Sequence, residues 1–216
     1  MSVECLELRV VVPVLENRKW KVVKSENILH LGEWLSVRQE TVELPSGRQI
    51  PTWFVLEFPD WINVIAITKD GKFVMEDQYR HALGQTCYEI VAGVVDPGET
   101  PLHAAQRELS EETGYGGGTW ELFMTLSPNP TNHNNLVYTF LARDVEKLSE
   151  QHQEATEDIN VHIFTREQVQ EILDRGMIIQ ALLADKAFLL VFIYQHTIRL
   201  YNRCYIIGRF HSSFYF

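Results

Sequence analysis

Three glutamates, Glu108, Glu111 and Glu112, are spaced so that they would share one face of a helix. Three carboxylates at this spacing repel one another, and a hard divalent cation with a preference for oxygen ligands would remove the conflict. Such an ion can bridge phosphate oxygens, polarise phosphorus and lower the pKa of a bound water. The spacing therefore indicates metal-dependent phosphoryl chemistry, although glutamates at the same spacing also occur on solvated helix faces.

The flanking residues predict the helix that would carry these glutamates. Thr100 is a favourable N-cap and Pro101 suits the first helical position. Gly114 stands where a left-handed residue would end the helix, which gives about three and a half turns. A separate apolar stripe could pack this helix on a sheet, and it consists of Leu102, Ala105 and Leu109.

The stretch from Gly93 to Tyr115 reads GVVDPGETPLHAAQRELSEETGY and fits the pattern G-x5-E-x7-R-E-U-x-E-E-x-G-U, with U apolar, at all nine positions. This pattern is the signature of the Nudix hydrolases, which the chain resembles. The resemblance implies an α/β (α+β) fold, a Nudix-type α/β/α sandwich with a mixed sheet. It also implies a pyrophosphohydrolase that depends on Mg²⁺ or Mn²⁺.

The resemblance also implies roles for individual residues of this stretch. Arg107 would orient the catalytic carboxylates by ion pairing, and Glu99 would join the same network. The metal ligands would be three carboxylates and the backbone carbonyl just before the first glycine, that is, Glu108, Glu111, Glu112 and Ala92.

Sequences on both sides of the stretch narrow the substrate class. Residues 76–80 (EDQYR) and 88–93 (YEIVAG) resemble the ADP-ribose pyrophosphatase branch, which typically reads Glu-Gln-Tyr-Arg and then Glu-x-Pro-Ala-Gly. Asp77 interrupts the first motif, and Val91 stands where proline is usual. The resemblance implies hydrolysis of ADP-ribose or a related nucleoside diphosphate sugar. The alternatives are a nucleoside triphosphate pyrophosphohydrolase and a non-catalytic Nudix-like ligand sensor.

Candidate substrate-binding residues follow from the same resemblance. Arg80 could hold phosphate oxygens bidentately or form a surface ion pair, and Glu89 could support the metal ligands or be a sheet-edge carboxylate. Ser127 begins a Ser-Pro-Asn sequence that resembles the family's Ser-Pro-Gly substrate loop. A nucleobase could stack on one of four aromatic residues that could equally belong to the core: Trp34, Phe54, Trp61 or Tyr79.

A general base is expected on the acidic loop of residues 153–159. Glu157 is the first candidate to activate the attacking water and Glu154 is the second, although the loop could equally be a solvated acidic segment.

The composition restricts partners and location. The chain has 216 residues and a formal net charge of −10, which disfavours nucleic acid as a partner. Three widely spaced cysteines, Cys5, Cys87 and Cys204, suit a reducing, cytoplasmic compartment. The apolar segment of residues 187–194 is too short to cross a membrane and favours a buried helix.

The order of patterns predicts three regions. Alternating runs over residues 1–57 predict an antiparallel β subdomain, and the resemblance implies that it contacts a second subunit in a homodimer and contributes to the substrate site. Residues 58–197 would form the hydrolase domain, with a Trp61–Thr68 strand, an Asp70-Gly71 hairpin turn and a helix capped by Thr165. Residues 198–216 would be a tail.

Overall fold

The computed structural model describes residues 15–32, 35–153 and 157–180. The chain divides into two compact units, residues 1–56 and residues 57–216. Several predicted features lie outside the described residues: the first strand near residues 6–14, Trp34, Glu154, the apolar helix of residues 187–196 and the tail. Within the described part of the chain, no helix is long and apolar enough to cross a membrane.

The N-terminal unit is an antiparallel sheet of three strands, β1 (Lys21–Leu31), β2 (Leu35–Glu43) and β3 (Gln49–Glu57), in that order. The turn between β2 and β3 needs Gly47, whose φ of 82° favours glycine. Few side chains of this unit are buried, and β1 is exposed along its whole length. The predicted antiparallel β region is thereby confirmed.

The second unit is built on one eight-stranded mixed sheet. Its strands are β4 (Trp61–Thr68), β5 (Phe73–Arg80), β6 (Gln85–Glu89), β7 (Val91–Val94), β8 (Tyr115–Gly116), β9 (Thr119–Leu126), β10 (Val137–Lys147) and β11 (Ile159–Phe164). The helices in the described part of this unit are α1 (Pro101–Thr113) and α2 (Arg166–Asp174). The central path runs β11-β5-β4-β10-β8, while β6 pairs with β5, β7 with β4 and β9 with β10. The pair β4–β10 is parallel, which makes the sheet mixed.

The two faces of the sheet carry separate apolar cores. Val64 and Ala66 of β4 pack with Ala104, Ala105 and Leu109 of α1. The intervening Ile65 belongs to the second core, which includes Val169 and Ile172 of α2. Because successive strand residues point to opposite faces, α1 and α2 cover opposite sides of the sheet. The predicted layered α/β fold is thereby confirmed.

One local prediction needs correction. The apolar stripe of α1 includes the fully buried Ala104, whereas Leu102 is 39% exposed. The helix is rotated so that its small residues approach the sheet closely.

Candidate active site

Both ends of helix α1 have the capping geometry that the sequence predicts. Thr100 is extended, with φ −86° and ψ 149°, and its hydroxyl accepts a hydrogen bond from the His103 N–H at 3.3 Å. Gly114 is left-handed, with φ 68°, and its N–H donates to the Ser110 carbonyl at 2.8 Å. These caps fix the helix register, and with it the direction in which each glutamate points.

Three carboxylates meet at the C-terminal half of α1. Glu108, Glu112 and Glu157 each offer an oxygen, and the three oxygens lie within 4.8 Å of one another. Glu108 and Glu112 are buried, at 8% and 4% exposure. Glu157 reaches them from the segment just before β11. The helix and this distant segment therefore converge on a single acidic cluster, which we call the carboxylate cluster.

Glu111 lies outside the carboxylate cluster. Its side chain is 41% exposed, and its Oε2 accepts a hydrogen bond from Arg107 Nη1 at 3.1 Å. Arg107 Nη1 also lies 2.9 Å from Glu108 Oε1. The face shared by the three glutamates is therefore divided, with Glu111 turned towards Arg107 and Glu112 turned inward.

Arg107 is the centre of a second set of contacts that joins α1 to the preceding loop. Its Nη2 lies 3.1 Å from Glu99 Oε2 and donates to the Val94 carbonyl, also at 3.1 Å. Glu99 accepts further hydrogen bonds from the Asp96 N–H and from the His103 ring. Hydrogen bonding to Arg107 lowers the pKa of Glu99. The arginine thus orients Glu108 and holds the loop against the helix.

Gly93 in β7 lies against the side chain of Glu108. A Cβ at this position would fall 2.1 Å from Glu108 Oε1 and 2.2 Å from its Cδ, far inside van der Waals contact. The first glycine of the signature therefore provides the space that the Glu108 carboxylate occupies. The neighbouring Ala92, opposite Asn63 of β4, directs its N–H to Glu112, which places the backbone at 92 beside the carboxylate cluster.

Burial sets the electrostatics of the carboxylate cluster. It raises the pKa of Glu108 to about 7, against the opposing effect of Arg107. It also raises the pKa of Glu112 well above its ordinary range, and the charge of Glu76 is the next cause. The Oε2 atom of Glu112 is buried and has no hydrogen-bond partner among the described residues. The cluster is therefore short of positive charge.

Glu76 in β5 is a site residue to which the sequence analysis gave no role. It is 1% exposed, and its Oε2 is also buried without a hydrogen-bond partner among the described residues. Burial, and then the charge of Glu89, raises its pKa. The sequence signal for its position is the alternation of side chains along a strand. Glu76 comes two residues after Val74, which packs in the core beneath α1, and it therefore lies on the same face of the sheet.

Arg80 of β5 and Glu89 of β6 form a bidentate pair. Arg80 Nε donates to Glu89 Oε1 at 2.8 Å, and Nη2 bonds to Oε2. Glu89 is 1% exposed and lies directly opposite Glu76 in the β5–β6 register. Glu89 therefore lies beside Glu76 in the sheet, and the guanidinium group of Arg80 is directed towards Glu89.

The other predicted substrate residues, Tyr79 and Ser127, are less deeply buried than Glu89. Tyr79 is 51% exposed, and its ring lies 6.4 Å from the ring of His81. Ser127 follows the last residue of β9 and is half-buried. Of the stacking candidates, Trp61 packs against Phe58, whereas Phe54 of the N-terminal unit is 46% exposed.

The donor set fits a divalent cation. Three converging carboxylates, two of them buried, are the ligands that hard cations such as Mg²⁺ take in proteins. The unpartnered Glu112 oxygen is an acceptor for which the described chain supplies no donor. The donor chemistry agrees with the divalent metals that Nudix hydrolases use.

Known proteins resemble this chain over more than half of its length. The ADP-ribose pyrophosphatase of Bacillus subtilis is 34% identical over 143 residues, which cover 66% of this chain and 76% of that protein. The methanol dehydrogenase activator of Bacillus methanolicus is 35% identical over 127 residues, covering 59% and 68%. A crystal structure of an ADP compounds hydrolase superposes with a TM-score of 0.72 at 18% identity, over 85% of this chain and 98% of the other.

Two family models match the two units. Residues 20–56 match the nucleoside diphosphate sugar hydrolase N-terminal domain. Residues 59–182 match the NUDIX domain, more than half of the chain. The chain belongs to the NUDIX domain family.

Proposed function

We propose that this protein is a Mg²⁺-dependent pyrophosphatase of ADP-ribose or a related nucleoside diphosphate sugar. The observation that carries the proposal is the carboxylate cluster, in which Glu108 and Glu112 of the signature helix meet Glu157 from the segment before β11. The match of residues 20–56 to a nucleoside diphosphate sugar hydrolase domain supports the sugar-linked substrate. The products would be a nucleoside monophosphate and a sugar phosphate.

The proposed metal ligands are the carboxylates of Glu108, Glu111 and Glu112 and the backbone carbonyl of Ala92. Glu111 would bind the metal while it keeps its contact with Arg107. A bound Mg²⁺ would neutralise the phosphate oxygens and acidify water. Arg107 and Glu99 position the helix carboxylates through the ion pairs described above. Arg107 and Glu99 would therefore act by holding the carboxylates that bind the metal ion.

Glu157 is the proposed general base. Its oxygen lies within 4.8 Å of those of Glu108 and Glu112, so it can reach a water molecule beside the diphosphate. The water oxygen forms a bond to phosphorus, its proton passes to Glu157, and the bond from phosphorus to the bridging oxygen breaks. The bridging oxygen leaves on the second phosphate, so atoms and charge balance without a further reactant.

Arg80, Glu89, Tyr79 and Ser127 are the proposed substrate contacts. The guanidinium group of Arg80 already binds the carboxylate of Glu89 in the bidentate geometry in which arginine also binds phosphate. When the diphosphate binds, one arm of Arg80 can turn to it while Glu89 keeps the other. Tyr79 is exposed at the same strand end and offers its ring to the nucleoside.

The N-terminal unit is the proposed dimerisation element. This unit exposes large apolar side chains, including Trp20 at 44% just before β1, and Val22 at 52% and Leu31 at 55% within it. A second copy of the chain would cover such a face, since exposed apolar patches mark interaction surfaces. Light scattering after gel filtration should give twice the chain mass.

The buried free thiol of Cys87 fits the proposed cytoplasmic location.

The function is tested by incubating the protein with Mg²⁺ and ADP-ribose, GDP-mannose or UDP-glucose in H₂¹⁸O. Release of AMP and ribose 5-phosphate, with ¹⁸O in one of them, is expected for ADP-ribose and also identifies the phosphorus attacked. Glu112→Gln should lose most activity, whereas Glu121→Gln, an exposed glutamate paired with Arg143, should not. Absence of turnover on all three substrates would reject the proposal.

A further inference from the structure

The last carbonyl groups of helix α1 are hydrogen-bonded by the segment that leads to Glu157. Because the last four carbonyl groups of a helix have no partner within it, other groups must bond them. The carbonyl of Glu111 accepts from the His152 N–H at 2.8 Å, and that of Glu112 accepts from Gln151 Nε2 at 2.7 Å. The segment is therefore tied to the backbone of Glu112, whose side chain belongs to the carboxylate cluster.

A second glutamine joins residues on either side of Glu157. Gln153 Nε2 donates to the Ile159 carbonyl at 2.6 Å, and the Ile159 N–H donates to Gln153 Oε1 at 3.4 Å. Ile159 begins β11, which stands at one end of the central strand path and pairs with β5. A side-chain amide offers the same donor and acceptor as a peptide group. Gln153 therefore takes the place of a strand partner at the outer edge of β11.

Gln151 connects these two attachments. Besides the Glu112 carbonyl, the Gln151 Nε2 atom also bonds the Ile159 carbonyl, at 3.4 Å. Ile159 is only 4% exposed, and it follows Glu157 by two residues. A short path of hydrogen bonds thus runs from Glu112 through Gln151 to Ile159, although the two glutamates of the cluster that it joins are far apart in the sequence.

The position of Glu157 needs such support because its charge opposes it. One of its oxygens lies within 4.8 Å of oxygens of Glu108 and Glu112, and like charges repel more strongly where burial reduces screening. A lysine or arginine in place of the glutamines would bring a positive charge that could pair with the carboxylate it is meant to position. Two neutral amides instead hold the backbone of this segment without adding such a competing charge.

We propose that Gln151 and Gln153 are positioning residues for the general base, and that they hold Glu157 beside the diphosphate through their hydrogen bonds to Ile159. The inference rests on the proposed function, in which Glu157 takes the proton of the attacking water. It adds two neutral residues that lie outside the signature and act through the backbone. Their effect should therefore fall on kcat, and not on KM or on the affinity for the metal ion.

Replacement of Gln153 by methionine tests this inference, because it keeps the length of the side chain and removes both hydrogen bonds to Ile159. At saturating Mg²⁺, kcat for ADP-ribose should fall on the order of 10- to 100-fold, as expected when a reacting group is displaced by about 1 Å. KM and the affinity for Mn²⁺ should stay unchanged, and Gln151→Met should act in the same direction. Gln170→Met is the matched control, because the Gln170 amide bonds Asp174 within α2 at 2.7 Å; its kcat should stay within about twofold.

A double replacement separates positioning of the base from a general loss of structure. In a Glu157→Gln background the base is already absent, so the addition of Gln153→Met should change kcat by less than about twofold. A further loss as large as that in the wild-type background would show that Gln153 acts elsewhere and would overturn the inference. If Gln151→Met fails to fold, Gln153→Met carries the test, since Gln153 is exposed.

Amide hydrogen exchange of the metal-free protein, followed by NMR, gives a reading that is independent of activity. The Ile159 N–H should exchange faster in Gln153→Met than in the wild type or in Gln170→Met, because its acceptor is removed. Wild-type exchange or wild-type kcat in Gln153→Met would overturn the inference and leave the proposed function standing. Absence of turnover by the wild type on every sugar nucleotide would reject the proposed function, and the inference with it.

Discussion

Replacing Gly93 by alanine tests whether the close approach of β7 to Glu108 sets the geometry of the carboxylate cluster. The new Cβ would lie 2.1 Å from Oε1 of Glu108 and 2.6 Å from its Cγ, where ordinary contacts are 3.4–4 Å. The carboxyl group must therefore move by about 1 Å or more, since the β7 backbone is held by its pairing with β4. A displacement of about 1 Å at a catalytic centre costs on the order of 100-fold in rate.

The expected result for Gly93→Ala is a loss of about 100-fold in kcat/KM for ADP-ribose, equivalent to about 2.7 kcal/mol of transition-state stabilisation. The free energy of unfolding should fall by only about 1–3 kcal/mol, because a side chain rather than backbone must shift. Steady-state kinetics at saturating Mg²⁺ and chemical denaturation measure the two quantities separately.

Gly116→Ala is the matched control for this substitution. Its added Cβ would meet a methyl group of Leu148 at 3.1 Å, which a flexible side chain can accommodate, so kcat/KM should stay within about twofold. Gly93→Ala should also cost less stability when Glu108 is already alanine, since the crowded atoms are then absent. Wild-type kcat/KM in Gly93→Ala would refute the argument that this glycine provides space for Glu108.

Three further outcomes follow from the same contacts. Arg107→Lys loses the fork that joins several carboxylates and should lower the free energy of unfolding by about 1–3 kcal/mol in denaturant titrations; an unchanged value would contradict its bridging role. Arg80→Ala leaves Glu89 buried without its partner and should cost about 3 kcal/mol, more than the double replacement of both residues by methionine. Because burial raises the pKa of Glu108 from 4.5 to about 7, metal-free protein should lose stability as the pH rises through that range. Mg²⁺ should then raise Tm more at pH 8 than at pH 6, and an equal gain at both would refute the electrostatic account.

Features coded by neighbouring residues could be predicted from the sequence. The limits of α1 depend on Thr100, Pro101 and Gly114, which act within one turn of the helix ends, and the structure confirms them. The strand Trp61–Thr68 and the following Gly71 turn are equally local. In each case the deciding interaction spans only a few residues, so pattern and position suffice.

Features that depend on distant contacts could not be predicted in the same way. Their positions in the sequence predict the same role for Glu111 and Glu112. In the structure, however, Glu111 forms an ion pair with Arg107, whereas Glu112 is buried. Glu76 has no partner in its sequence neighbourhood and acquires its surroundings only when β5 pairs with β6 and α1 covers the face. The alternation of side chains along β5 indicates which face of the sheet Glu76 occupies. Only the tertiary structure shows which residues cover that face.

The arginine of the signature explains why a chain can place so many carboxylates on one side of a sheet. Arg107 compensates Glu99, Glu108 and Glu111 at the rim, where Glu111 is still 41% exposed and solvent screens the remaining charge. No arginine or lysine among the described residues is hydrogen-bonded to Glu112 Oε2, where screening is weakest. The fold therefore satisfies the outer carboxylates with protein cations and leaves the inner ones short of positive charge. A protein side chain paired with Glu112 would stabilise the fold but would occupy the oxygen that a divalent cation needs, so the missing partner is itself an argument for metal binding at the inner end of the cluster.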